Sequence, residues 1–89
     1  MQLDPQAVAQ AIKQQLVEIC DALGEDAREL GPDESIPASG LIDSAALLEL
    51  LSWYESHFAI TLKPDEITID NLGTLNLMAA FAIRRKSGS

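Results

Sequence analysis

The chain has one cysteine and one histidine among 89 residues. Cys20 alone cannot close an intramolecular disulfide, and it cannot combine with His57 into the spaced ligand sets that zinc requires. On an apolar helical pattern it reads as a small buried hydrophobe. Aromatic residues make up only 4% of the chain although 47% is hydrophobic, so a core must be built from Leu, Ile, Val and Ala. That composition favours helices over a sandwich, whose strands draw on aromatics. The longest strictly apolar run, Leu77–Ile83, is far too short to span a bilayer. No basic segment leading into an apolar one opens the chain, and a cytosolic protein is expected.

Bases are scarce as well. Six Lys and Arg against fourteen Asp and Glu give a net charge of −8, which repels nucleic acid backbones and anionic membrane surfaces. Basic proteins are the favoured partners. The distribution sharpens this: between Arg28 and Lys63 lie Glu29, Asp33, Glu34, Asp43, Glu49 and Glu55, with no Lys or Arg. One flank of the molecule is therefore strongly negative.

Catalytic machinery is missing too. There is no glycine-rich phosphate loop. Asp65, Glu66 and Asp70 lack the Gly and the terminal Glu of a calcium loop and read as surface. His57 lies thirteen residues beyond Ser44 on the same expected helix, roughly 20 Å away at about 1.5 Å per residue. It cannot activate that serine within one molecule, which argues against a self-sufficient serine hydrolase.

What remains is one domain over residues 1–86, with Ser87-Gly88-Ser89 as a frayed tail. Asp4-Pro5 is a helix start, and Val8, Ile12, Leu16, Ile19 and Leu23 recur at helical spacing before Gly24 ends the run. From Glu25 to Asp43, Gly31, Pro32, Pro37 and Gly40 forbid a sustained helix. A loop this long needs anchors, and Leu30, Ile36 and Leu41 supply them, leaving Asp33, Glu34 and Ser35 outside. A second helix is predicted from Ser44 to Phe58, with Leu47, Leu50, Leu51, Tyr54 and Phe58 buried and Leu48 at the edge of that stripe, near Ser44. Trp53 reads either as packing or as a contact anchor. A very short helix at Asp70-Asn71-Leu72 is stopped by Gly73, and Thr74 caps a last helix through Arg85, in which Leu75, Met78, Ala79, Phe81 and Ala82 pack. Arg84, Arg85 and Lys86 suit the negative end of its dipole.

The Asp43-Ser44 pair closes the loop and opens the second helix. Either residue could serve merely as an N-cap. The unpaired N–H groups of the first turn and the positive end of the dipole also favour a phosphate there, so an exposed Ser44 hydroxyl is well placed to carry something anionic.

In this helical order, with Pro32-Asp33 and Ile36 before the Gly40-Leu41-Ile42-Asp43-Ser44 junction and Glu49 and Phe58 after it, the chain from about Asp4 to Arg85 resembles the acyl carrier protein family. The resemblance implies an all-α, four-helix bundle of three main helices and one very short one, with a long first loop. It implies that the chain is not an enzyme. Ser44 would be the attachment point for 4′-phosphopantetheine, moved from coenzyme A by a phosphopantetheinyl transferase with bound magnesium, and the arm would hold an acyl or aminoacyl group as a thioester. Asp43 matches the family residue involved in modification. Ala45, Leu48, Glu49 and Glu55 match positions used in modification or in docking to partners, which here would be a loading ligase and downstream transferases with basic patches.

The two residues between Gly40 and Asp43 bring the chain closer to D-alanyl and other specialised carriers than to many fatty-acid carriers. Ala45 stands in place of a large docking side chain and Ala46 in place of a frequent acid, while Trp53 and Tyr54 fill space that shelters long chains elsewhere. The expectation is a stand-alone, monomeric carrier of a short acyl or aminoacyl group. The alternative is an unmodified acidic helical adaptor acting through Glu49 and Glu55.

Overall fold

A computed structural model describes residues 4–87. Helix α1 (Pro5–Ala22) starts where expected: Gln6 donates its N–H to Asp4 Oδ1 at 3.1 Å, and Pro5 occupies the first turn. It ends in a paired set of backbone bonds around Gly24, which has φ +81°. Gly24 N–H reaches the Asp21 carbonyl at 3.1 Å and Glu25 N–H reaches that of Cys20 at 2.8 Å. This double closure needs the left-handed conformation that glycine adopts without a Cβ penalty.

Val8, Ile12, Leu16 and Ile19 are buried as predicted, and Cys20 is fully buried beside the Leu41 carbonyl. Leu23 departs from its predicted place in the stripe and is 48% exposed. The helix stops at Ala22, so the four-residue step from Ile19 carries Leu23 onto the cap, beyond the packed length of α1.

The segment from Glu25 to Asp43 is held by apolar anchors and by hydrogen bonds. Leu30 and Ile36 are buried, Leu41 packs partly against the core, and Ala27, which sequence pattern did not single out, is fully buried. Each large anchor contributes on the order of 1.5–3 kcal/mol by leaving water. Ile36 N–H donates to the Gly73 carbonyl at 2.8 Å and Asn76 N–H to that of Pro32 at 3.0 Å. Asn76 Nδ2 also donates to Asp33 Oδ1 at 2.9 Å. The loop is therefore stitched to the far end of the chain. A 3-10 turn at Pro37–Ser39 interrupts it, and Ser35, expected outside, is half-buried there with its Oγ accepting from Ala38 N–H at 3.3 Å.

Helix α2 (Ser44–Phe58) buries Ala46, Leu50, Leu51, Tyr54 and Phe58. Leu47 is only half-buried, and Leu48, expected at the edge of the stripe, is 64% exposed. Tyr54 Oη donates to the Met78 carbonyl at 2.7 Å, tying α2 to α4 (Leu75–Ser87). Burial pushes that phenol well above its usual range. Trp53 is half-buried and stacks on His57, with ring centroids 4.7 Å apart. The expected frayed end is helical at Ser87, where α4 stops, while Gly88 and Ser89 lie outside the described residues.

Two glutamates organise the connection from α2 to α3 (Ile69–Leu72). Glu55 Oε2 accepts from Leu62 N–H at 2.7 Å. Glu66, read from the sequence as plain surface, accepts from Lys63 N–H at 2.9 Å and from Arg85 Nη1 at 2.8 and 2.9 Å. Arg85 Nη2 reaches the Thr61 carbonyl at 3.0 Å, so Arg85 does more than complement a helix dipole. The Lys63 N–H, with the Arg85 guanidinium behind it, holds the Glu66 carboxyl below its ordinary range. Gly73 matters for space: a Cβ there would collide with the Ile69 carbonyl oxygen and lie 2.8 Å from Ile69 Cγ2. Among the described residues the architecture is all-α, with α1 packed most extensively on α4 and with the long loop between α1 and α2.

Candidate functional site

Asp43 and Ser44 divide two tasks that the sequence left open. Asp43 is the N-cap, in extended conformation, and its Oδ1 accepts from Ala46 N–H at 2.8 Å. Ser44, the first helical residue, is thereby released from capping. It is exposed, and its hydroxyl makes no hydrogen bond to any described residue. The remaining first-turn N–H groups and the positive end of the dipole lie beside it.

The surface around Ser44 is concave on two sides. On one side, Pro37, Ile42 and Leu47 form a shallow groove with Asp43 and Ser44. Pro37 and Leu47 also line the next depression, a partly open apolar one of about 110 Å³ shared with Leu51, Ile67, Ile69 and Leu72. On the other side, a second groove separates the end of α1 from the start of α2, with Ala45, Ala46, Asp43 and Glu49 along the α2 side. Sequence pattern gave no warning of Ile67 and Ile69, which are 44% and 65% exposed. The signal available was an Ile-x-Ile repeat around Thr68, whose hydroxyl caps α3 by accepting from Asn71 N–H at 3.2 Å.

The other predicted residues divide by exposure. Ala45, Leu48 and Glu49 are exposed on the first turns of α2. Glu55 is half-buried, and one of its oxygens is engaged by Leu62 N–H. His57 stacks on Trp53 in the last turn of α2, almost a full helix length from Ser44. No group of three or more His, Cys, Asp or Glu among the described residues could hold a metal ion, and no helix among them is long and apolar enough to cross a membrane.

A free, exposed hydroxyl at a helix start, open on both sides, fits a bulky phosphate-linked substituent. The family model described as the phosphopantetheine attachment site matches residues 14–82, and the chain belongs to that family. No curated protein and no solved structure matches it. The family's modules carry covalent 4′-phosphopantetheine and present acyl or aminoacyl thioesters to other proteins, so the chain is a carrier and not a catalyst. Its partners include phosphopantetheinyl transferases and acyl-transfer enzymes.

Proposed function

We propose that Ser44 takes the 4′-phosphopantetheine arm and that residues 1–86 act as a single monomeric carrier domain. The observation that carries this is the division of labour at the start of α2: Asp43 spends its carboxylate on Ala46 N–H, and the neighbouring Ser44 hydroxyl stays exposed, with no hydrogen bond to any of the described residues. The arm supplies a thiol that holds cargo as a thioester. The chain's own part is to present the oxygen. His57 lies in the last turn of α2, almost a full helix length away, and Asp43 Oδ1 is engaged by Ala46 N–H, so a base on the transferase would take the hydroxyl proton.

Ala45, Leu48 and Glu49 form the docking face for the transferase, for a loading ligase and for downstream transferases with basic patches. Glu55 contributes charge to this face while holding Leu62. A net charge of −8 favours such partners over nucleic acid or membrane. With its lone cysteine buried and free, the chain suits a cytoplasmic setting.

The cargo is a short acyl or aminoacyl group. The apolar depression beside Leu47, at about 110 Å³, is smaller than the ~150 Å³ void that admits benzene in another protein. Tyr54 is fully buried in the core, where its hydroxyl is anchored to the Met78 carbonyl.

Incubation with coenzyme A, magnesium and a broad-specificity phosphopantetheinyl transferase tests the reading by intact mass. The wild type gains one phosphopantetheine and Ser44→Ala gains none. A wild type of unchanged mass would instead support the unmodified adaptor.

A further inference from the structure

The groove between the end of α1 and the start of α2 lies beside Ser44, with Ala45 and Glu49 of the docking face along its α2 side and the end of α1, to which no role has been given, along the other. Ile19 and Ala46 are buried in its floor, while Ala22, Leu23 and Ala45 stand exposed along its sides. Leu23, displaced from the core stripe onto the cap of α1, is left with nearly half its surface in water. Ala45 offers only a methyl group where a larger side chain would close the groove.

The charged residues that line it, Asp43 and Glu49, are both acids. The nearest cation before this stretch in sequence, Arg28, is paired with Asp21 at 3.7 Å and Asp26 at 3.5 Å. An apolar floor beneath an acidic rim is complementary to a bulky apolar side chain with basic neighbours. A second copy of this chain, also at −8, does not meet that description.

We propose that this groove receives one leucine-sized or aromatic side chain from a partner protein, carried on a segment flanked by Lys or Arg, whose charges meet Asp43 and Glu49. Resting on the carrier reading, the seat would bring that partner against the Ser44 end of α2 from the α1 side. Ala45 sets the depth of the groove and Leu23 forms its outer wall, so these two residues determine which partner side chain is accepted.

Two synthetic peptides of equal positive charge, identical except for a central Leu in one and Ser in the other, test this against the ¹⁵N-labelled chain. The Leu peptide should bind roughly tenfold tighter or more, the change expected from burying one such side chain. Its amide shifts should centre on Ile19, Leu23, Ala45, Ala46 and Glu49. Ala45→Leu should erase the difference between peptides by filling the groove, and Leu23→Ser should reduce it. Both positions are exposed, so unshifted signals elsewhere will verify the fold.

Equal affinities for the two peptides, or shifts centred on residues 67–72, would overturn the proposal. The same samples are weighed after transferase treatment. A chain that takes the arm without discriminating the peptides defeats the groove alone; one that discriminates but takes no arm defeats the carrier reading alone.

Discussion

Replacing Asp43 separates its structural role from its electrostatic one. Its Oδ1 satisfies Ala46 N–H at 2.8 Å, one of the orphan donors at the start of α2. Asp43→Ala removes that bond and a negative charge from the positive end of the dipole, and loss of an N-cap costs about 1 kcal/mol, within a range of roughly 0.5–2. For a domain of this size that lowers Tm by about 4–8 °C. Asp43→Asn keeps an equivalent cap and loses only the charge, so most of the stability should return.

Thermal unfolding followed by circular dichroism reads the first effect, and the rate of phosphopantetheine transfer reads the second. If Asp43 serves docking as well as capping, Asp43→Asn will melt near wild type yet load more slowly, most visibly at low salt. An Asp43→Ala variant as stable as wild type would refute the capping geometry, and full-rate loading of Asp43→Asn would refute the electrostatic role.

Gly73→Ala should destabilise the fold by about 1–3 kcal/mol in urea unfolding, since the added methyl must displace Ile69 and disturb the carbonyl that receives Ile36 N–H. Glu66→Gln should show a pH-dependent deficit. Because Lys63 N–H and Arg85 lower the folded carboxyl's pKa, the wild type gains stability above the ordinary glutamate value of about 4.3 and loses it as pH falls through the lower folded value. The gap between wild type and variant, measured by Tm from neutral to acid pH, should therefore narrow on acidification. Glu49→Lys should slow loading several-fold at low ionic strength and much less at high salt; equal rates at low salt would remove Glu49 from docking.

Local signals carried the helices. Asp4-Pro5, Gly24, Asp43 and Thr74 mark helix ends through hydrogen bonds within a few residues, which a sequence shows directly. The apolar period carried most of the core, because a helix that buries one face must repeat at 3.6 residues. It failed at Leu23, where the helix ends before the stripe does, and fell short at Leu47, predicted buried and only half-buried beside an open apolar depression. The Asp-Ser junction was legible as a helix start and, with the order of elements around it, as a carrier signature.

Which of the two residues caps α2 was decided only by backbone geometry, through the extended conformation of Asp43. The pairing of Glu66 with Arg85, nineteen residues apart, and the seating of Ile36 N–H on Gly73 required the folded chain to bring distant segments together. The grooves on either side of Ser44 are likewise made by what neighbouring elements leave uncovered. Sequence by itself determined where helices begin and which of their faces are apolar, because those follow from interactions along a few successive residues. Tertiary structure decided which apolar side chains remain in water and which carboxylates are spent internally, because both depend on partners that chain order does not place.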